Sequence, residues 1–266
     1  MTVSEAVARR HLAACAMARQ AGEMMRRLFQ NRGGIEMSFK GPQDYLTQAD
    51  AAVEKLVKQR LADAFPEDKF FGEEGGGEIS ESMWVVDPID GTSNFARGIP
   101  HFCISIAYAL DNRPEIGVIY DPMTDEMFEA RRGAGARLNG WPMKTSAATQ
   151  MDRCQVELGW SKRRSDADYL AMVKRVLDAG ASFLRAGSGS LGIAYVADGR
   201  TDGYAELHIN SWDCLAGIVM VTEAGGHAND FLAGDGMRKG NPILVAAPGI
   251  AQALIKLTGI DDKVMA

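Results

Sequence analysis

Apolar positions fall first at helical spacing and then at strand spacing. Between residues 4 and 29, Val7, Leu12, Cys15, Met24, Leu28 and Phe29 share one broad face. This predicts a long amphipathic helix that Ser4 can cap and Gly33-Gly34 can end. A second helix is predicted over 51–61, with Thr47 or Asp50 at its start and Phe65-Pro66 closing it. Short apolar runs follow at Phe70-Phe71, Trp84-Val85-Val86, Phe102–Leu110, Ile116–Tyr120, Met127–Ala130 and Ala136–Leu138. Turn residues at 111–114, 121–125 and 139–140 separate the last four, predicting an antiparallel meander. The run from Phe102 to Leu110 is almost unbroken, as expected of a strand buried on both faces.

The second half changes character. Strands are predicted at 156–159, 181–184 and 203–207, with helices at 166–178 and 191–197. That alternation suits a second sheet flanked by helices. The expectation is one domain over 1–266, an α+β lobe over 1–145 followed by an α/β lobe over 146–266.

Composition narrows the function classes. The chain of 266 residues is 46% hydrophobic and 24% charged, with a formal net charge of −6, which fits an ordinary globular protein with ample core. The acidic balance and the lack of a basic run argue against nucleic-acid or membrane partners, so an anionic ligand would be drawn by bound cations rather than by lysines. Cys15, Cys103, Cys154 and Cys214 form no C-x-x-C pair, and His11, His101, His208 and His227 show no ligand spacing. Neither a zinc site nor a disulfide framework is expected, and the histidines read as structural or surface residues. With no signal-peptide core and no apolar run of membrane-spanning length, a cytoplasmic location is expected. No Ser/His/Asp constellation, phosphate-loop lysine motif or dinucleotide fingerprint supports acyl transfer, a kinase or hydride transfer.

The chemistry concentrates in residues 84–95, Trp-Val-Val-Asp-Pro-Ile-Asp-Gly-Thr-Ser-Asn-Phe. Pro88 has no N–H for a ladder, so the strand is expected to stop near Asp87, and Gly91 permits a tight backbone. Asp87 and Asp90 are then held together, and two such carboxylates repel unless a cation lies between them. Oxygen donors of this kind suit Mg²⁺. Thr92 and Ser93 can cap a helix whose free N–H groups face the same corner, although D-x-x-D-G alone also reads as a surface turn. Upstream, Glu73 and Glu74 follow an extended run, so one of them should share a face with Asp87. Downstream, the small residues of 185–190 make a strand-to-helix turn that offers backbone N–H groups. Asp213 lies at a predicted helix N-terminus, where a carboxylate is favoured.

The string at 84–95 resembles the first signature of the inositol monophosphatase family, and residues 206–226, with Trp212-Asp213 and the closing Glu-Ala-Gly-Gly, resemble the second. The likeness spans roughly residues 36–250. It implies a five-layered α-β-α-β-α sandwich of the sugar phosphatase type, in two lobes with the metals between them, and a homodimer. The implied activity is that of a Mg²⁺-dependent phosphomonoesterase using two or three ions. The implied ligands are Glu73, Asp87, Asp90, Asp213 and the carbonyl of Ile89. Glu73 and Thr92 would orient the attacking water, with Asp50 fixing Thr92. Lys40, Asp44 and Thr47 match the family's upstream loop, and Glu74 supports the site. Asp90, Gly91, Thr92, Gly187, Ser188, Glu206 and Asp213 would touch the substrate. Lithium would inhibit by replacing Mg²⁺ at the weaker position beside Asp90 and Asp213.

Two features depart from the family pattern. Fourteen positions separate Glu73 from Asp87, so the flap at 75–82 is short, and Asn210 stands where animal members carry histidine. Myo-inositol 1-phosphate leads as substrate, ahead of histidinol phosphate, fructose 1,6-bisphosphate and 3′-phosphoadenosine 5′-phosphate. The alternative from another class is a regulatory or scaffolding protein that keeps the phosphatase fold and binds transcription machinery.

Overall fold

The structure, a computed structural model, describes residues 2–31, 37–41 and 44–261, without the side chains of Val3 and of residues 37–47. Helix α1 (Val3–Gln30) is capped by Thr2 rather than Ser4: the Thr2 hydroxyl accepts the Glu5 N–H at 3.2 Å, and the Glu5 carboxylate accepts the Thr2 N–H at 2.8 Å. Its buried face is made by Ala14, Ala18, Ala21 and Met25, whereas Leu12 is exposed. Small residues let the helix lie close to the sheet beneath. The helix ends at Gln30, and Gly33 and Gly34 lie outside the described residues. Strands β1 (Met37–Gly41) and β2 (Asp44–Thr47) pair antiparallel and lead into α2 (Gln48–Ala64). Because α2 starts at Gln48, Asp50 stands inside its first turn instead of capping it.

The first large sheet comprises β3 (Lys69–Gly72), β4 (Gly76–Gly77) and β5 (Ser82–Asp90), then, after α3 (Thr92–Arg97), β6 (Cys103–Leu110), β7 (Arg113–Asp121), β8 (Glu126–Arg131), β9 (Ala136–Leu138) and β10 (Trp141–Pro142). Its order is β10-β9-β8-β7-β6-β5-β3-β4, with β3 and β5 parallel and antiparallel pairing from β5 onward that includes the expected meander of β6 to β9. Asp111-Asn112 and Asn139-Gly140 all have positive φ, which matches the right-handed twist of the strands they join. Strand β6 is buried along nearly its whole length. Pro88 does not end β5 as expected. Asp87 pairs with Ser105 and Asp90 with Cys103, so three steps on β5 oppose two on β6. Pro88 is accommodated within this bulge, where the ladder is interrupted and no N–H is needed.

The second sheet is built from β11 (Gln155–Leu158), α4 (Asp166–Asp178), β12 (Ser182–Leu184), α5 (Gly189–Ala197), β13 (Gly203–Ile209), α6 (Ser211–Glu223), β14 (His227–Ala228), α7 (Gly236–Lys239), β15 (Asn241–Ala246) and α8 (Ala251–Thr258). Its strands run β12-β11-β13-β15-β14, parallel across the first three and antiparallel at β15. Helices α5 and α6 lie between the sheets, α1 and α2 cover the outer face of the first, and α4 and α8 cover the outer face of the second. This is the five-layered α-β-α-β-α arrangement. Helix α6 buries Cys214, Leu215, Ala216, Val219, Met220 and Val221 around most of its circumference, as a helix pressed between two sheets must. Its backbone reaches β7 at Gly117, where an added Cβ would overlap the Ala216 carbonyl. Among the described residues no helix is long and apolar enough to cross a membrane.

Candidate metal centre and adjoining cleft

Residues three apart on a regular strand face opposite sides. The bulge in β5 adds one residue and so turns Asp87 and Asp90 to the same side. The N-terminal turn of α6 brings Asp213 to them, and the ligand atoms of all three carboxylates lie within 4.8 Å of one another. Each is held by donors. Asp90 Oδ2 accepts the Ser188 hydroxyl and the Ser190 N–H, both at 2.6 Å, and Asp87 Oδ1 accepts the Ile89 N–H at 3.0 Å. Asp213 Oδ2 accepts the Asn210 N–H at 3.0 Å and its carboxamide at 3.2 Å. Asn210 is therefore the N-cap of α6, and the residue noted as a departure from the family pattern is one that positions Asp213.

Burial and mutual repulsion keep this cluster protonated to unusually high pH. Burial, then the charges of Glu73, Asp90 and Asp213, push Asp87 well above the carboxylate range. Burial also raises Asp90, against the opposing donors from Ser188 and Ser190. Burial and the Asp90 charge take Asp213 to about 7. Oxygen donors that repel one another are what a hard divalent cation relieves, so the residues present fit Mg²⁺.

The neighbouring candidates surround this cluster unequally. Glu73 follows β3 and donates its N–H to the Val86 carbonyl at 3.1 Å; its carboxylate is outside the 4.8 Å group but is the leading charge acting on Asp87. Glu74 and Gly75 donate their N–H groups to Glu54 at 2.9 and 2.8 Å. Sequence reasoning missed Glu54, although its place one helical turn after Asp50 was a signal. Thr92 Oγ1 lies 2.9 Å from the Ile89 carbonyl and 3.1 Å from Asp50 Oδ1, and its single proton can serve only one of them at a time. The expected cap does not form. Gly91 is the N-cap of α3 with φ 94°, and Thr92 and Ser93 lie inside that helix. A side chain at Gly91 would also come within 3.0 Å of the His101 carbonyl. Lys40, Asp44 and Thr47 have their backbone in β1 and β2, but their side chains lie outside the described residues.

A cleft of about 170 Å³ opens beside Asp90 and Asp213, walled by Ser188, Glu206, Glu157 and Trp160. Burial raises Glu206 to about 8 while the Tyr204 hydroxyl donates to it at 2.6 Å. Gly187, with φ 88°, also lines the cleft, and Ser188 spends its hydroxyl on Asp90. Three further residues were not foreseen. Glu157 is buried, accepts the Ala186 N–H at 3.0 Å and is pushed by burial to about 7. Arg185 lies over Trp160 at 5.7 Å from the ring centre, and both line the cleft. The turn at 185–190 was legible, but which side chains it would meet depends on the pairing of β11 with β12 and β13.

Comparisons with known proteins show what the chain resembles in sequence and fold. A sequence model described as the inositol monophosphatase family matches residues 8–258. The Nus factor SuhB of Escherichia coli (strain K12) is 35% identical over 243 residues, covering 90% of this chain and 91% of that protein. The extragenic suppressor protein suhB of Bartonella henselae superposes with a TM-score of 0.87 at 36% identity, covering 92% of this chain and 96% of that one. The inositol monophosphatase of Anabaena gives a TM-score of 0.80 at 29% identity over 93% and 94% of the two chains.

Proposed function

The chain belongs to the inositol monophosphatase family, and from that premise we propose that it is a Mg²⁺-dependent phosphomonoesterase of small polyol phosphates, with myo-inositol 1-phosphate preferred. The observation that carries this reading is the convergence of Asp87, Asp90 and Asp213 within 4.8 Å, beside a polar cleft that Asp90 and Asp213 line. Asp87, Asp90, Asp213, Glu73 and the Ile89 carbonyl are the groups that would hold two or three ions. When bound, Mg²⁺ supplies the positive charge that attracts a phosphate ester and lowers the pKa of water. The remaining work falls to the chain itself. Asp50 holds the Thr92 hydroxyl, Thr92 and Glu73 orient the attacking water, and Glu73 takes up its proton. Gly91 and Thr92 face the phosphate end. Gly187, Ser188 and Glu206 face the polyol, where a raised Glu206 can either accept or donate a hydrogen bond. Lys40, Asp44, Thr47 and Glu74 support the loops around these groups. The active form is a homodimer.

A second reading is favoured by one finding: curated relatives 35% and 38% identical to this chain, from Escherichia coli and Haemophilus influenzae, carry the name Nus factor SuhB. It makes the protein a regulatory or scaffolding factor that retains the phosphatase fold. One experiment separates them. Phosphate release is measured in Mg²⁺ from inositol 1-phosphate, histidinol phosphate, fructose 1,6-bisphosphate and 3′-phosphoadenosine 5′-phosphate. The proposal expects inositol 1-phosphate to lead in kcat/KM. A lead of about tenfold by another ester, roughly 1.4 kcal/mol of transition-state preference, replaces the substrate and leaves the reaction class intact. No turnover of any ester, with no Mg²⁺ binding, favours the scaffold.

A further inference from the structure

On the opposite side of the first sheet from α6, helix α1 and strand β8 bring together three side chains of different ligand chemistry. His11 and Cys15 are four residues apart and so lie on one face of α1. Met127 belongs to the core beneath α1, whereas Phe128 and Ala130 belong to the core beneath α6, so Glu129 shares the α1 face of β8. The ligand atoms of His11, Cys15 and Glu129 all lie within 4.8 Å of one another. Cys15 Sγ is 3.0 Å from Glu129 Oε2, and His11 Nε2 is 3.3 Å from the same oxygen. His11 Nε2 is shut off from solvent and faces this oxygen, and its hydrogen bond is the leading cause that holds the Glu129 carboxyl below the usual carboxylate range. A ring nitrogen and a thiol that converge on one carboxylate oxygen put three kinds of donor at a single point, a set that a borderline divalent ion can take over.

We propose that His11, Cys15 and Glu129 form a transition-metal site, separate from the acidic cluster, that takes Zn²⁺ or a similar borderline divalent ion with water completing the shell. Tetrahedral Zn²⁺ with its usual bond lengths of about 2.0–2.3 Å places nitrogen, sulfur and oxygen ligands roughly 3.3–3.5 Å apart, so small side-chain rotations suffice. The nitrogen and sulfur donors disfavour Mg²⁺, which keeps to oxygen, and thereby separate this site from the one at Asp87. The thiol gives up its proton to solvent as the ion binds. Arg19 beside Cys15 and Arg137 opposite Glu129 oppose a cation, but Arg19 is more than half exposed and lies 3.7 Å from Asp125, and Arg137 is exposed. Water screens both. Bound metal would pin α1 to the meander. The other three cysteines are buried and cannot substitute for Cys15.

The test uses Co²⁺ as a spectroscopic probe on the full chain kept in saturating Mg²⁺, so that the acidic cluster is already filled. The proposal expects one equivalent of Co²⁺ to produce a sulfur-to-cobalt charge-transfer band that Zn²⁺ abolishes. Cys15→Ala removes the band, and Glu129→Gln weakens binding by at least about tenfold, the loss seen even for residues that only support a ligand. Zn²⁺ raises the melting temperature of the parent but not of Cys15→Ala. Circular dichroism of each variant reports its folding. A folded parent with no band, or a band that survives Cys15→Ala, overturns the site.

Discussion

Removing one charge from the acidic cluster should destroy activity while making the metal-free protein more stable. In Asp90→Asn the amide oxygen can still accept from Ser188 and Ser190, both at 2.6 Å from Oδ2 in the parent, so packing and hydrogen bonding persist. What disappears is repulsion. Two unit charges 4.8 Å apart interact by about 3 kcal/mol at an effective dielectric constant near 20. Because the parent relieves part of this by retaining protons, the net gain is about 1–3 kcal/mol at pH 8, or several degrees in melting temperature for a chain of this size. The gain depends on pH in a definite direction. A carboxyl with a higher pKa folded than unfolded holds its proton preferentially in the fold. The associated stability is full below the unfolded value, near 3.9, and is lost as pH climbs through the folded one. For Asp213 that window runs from 3.8 to about 7. The parent in chelator should therefore lose stability between pH 5 and pH 8 more steeply than Asp90→Asn, and Mg²⁺ should restore the parent but not the variant. Thermal melts of both proteins, with chelator and with Mg²⁺, at the two pH values measure every term. If the metal-free variant melts below the parent at pH 8, or if its advantage is equal at pH 5, charge repulsion is not what shapes this site.

Three other perturbations are expected to act as follows. Gly117→Ala sets a methyl group against the Ala216 carbonyl and should destabilise by about 1–3 kcal/mol or more; by shifting α6 it should also raise the Mg²⁺ concentration for half-maximal activity, which an unchanged melt and metal titration would contradict. Thr92→Val and Asp50→Asn should each lower kcat by about 100-fold with little change in Mg²⁺ dependence, so a loss confined to metal affinity would assign the pair to ion binding instead. Lithium should inhibit in a manner uncompetitive with substrate, since a monovalent ion stabilises phosphate and leaving group less; steady-state rates over a Mg²⁺ and Li⁺ grid, against K⁺ at equal ionic strength, would show no specific effect if this is mistaken.

The chain's local patterns determined a good deal. Periodicity placed α1, α2 and α4, the meander from β6 to β9 and the burial of β6, because helical and extended backbones impose their spacing on whichever side chains face the core. The strings around Asp87 and Asp213 carried the family, since cation binding needs carboxylates next to tight turns. Other features were settled only by tertiary structure. Pro88 predicted a strand end, yet pairing with β6 turned it into a bulge, and that bulge aims Asp87 and Asp90 the same way. Asn210 read as a departure from the family pattern until the start of α6 made it the holder of Asp213. Glu54 and Glu157 carry no motif, and their importance comes from backbone N–H groups that later turns direct at them. Cys15 and Glu129 are 114 positions apart and meet only because α1 lies across β8. Spacing along a chain is set by local backbone geometry, whereas a 3 Å contact between distant residues depends on strand register, layer order and the close approach of helix to sheet, which arise only when the whole core packs.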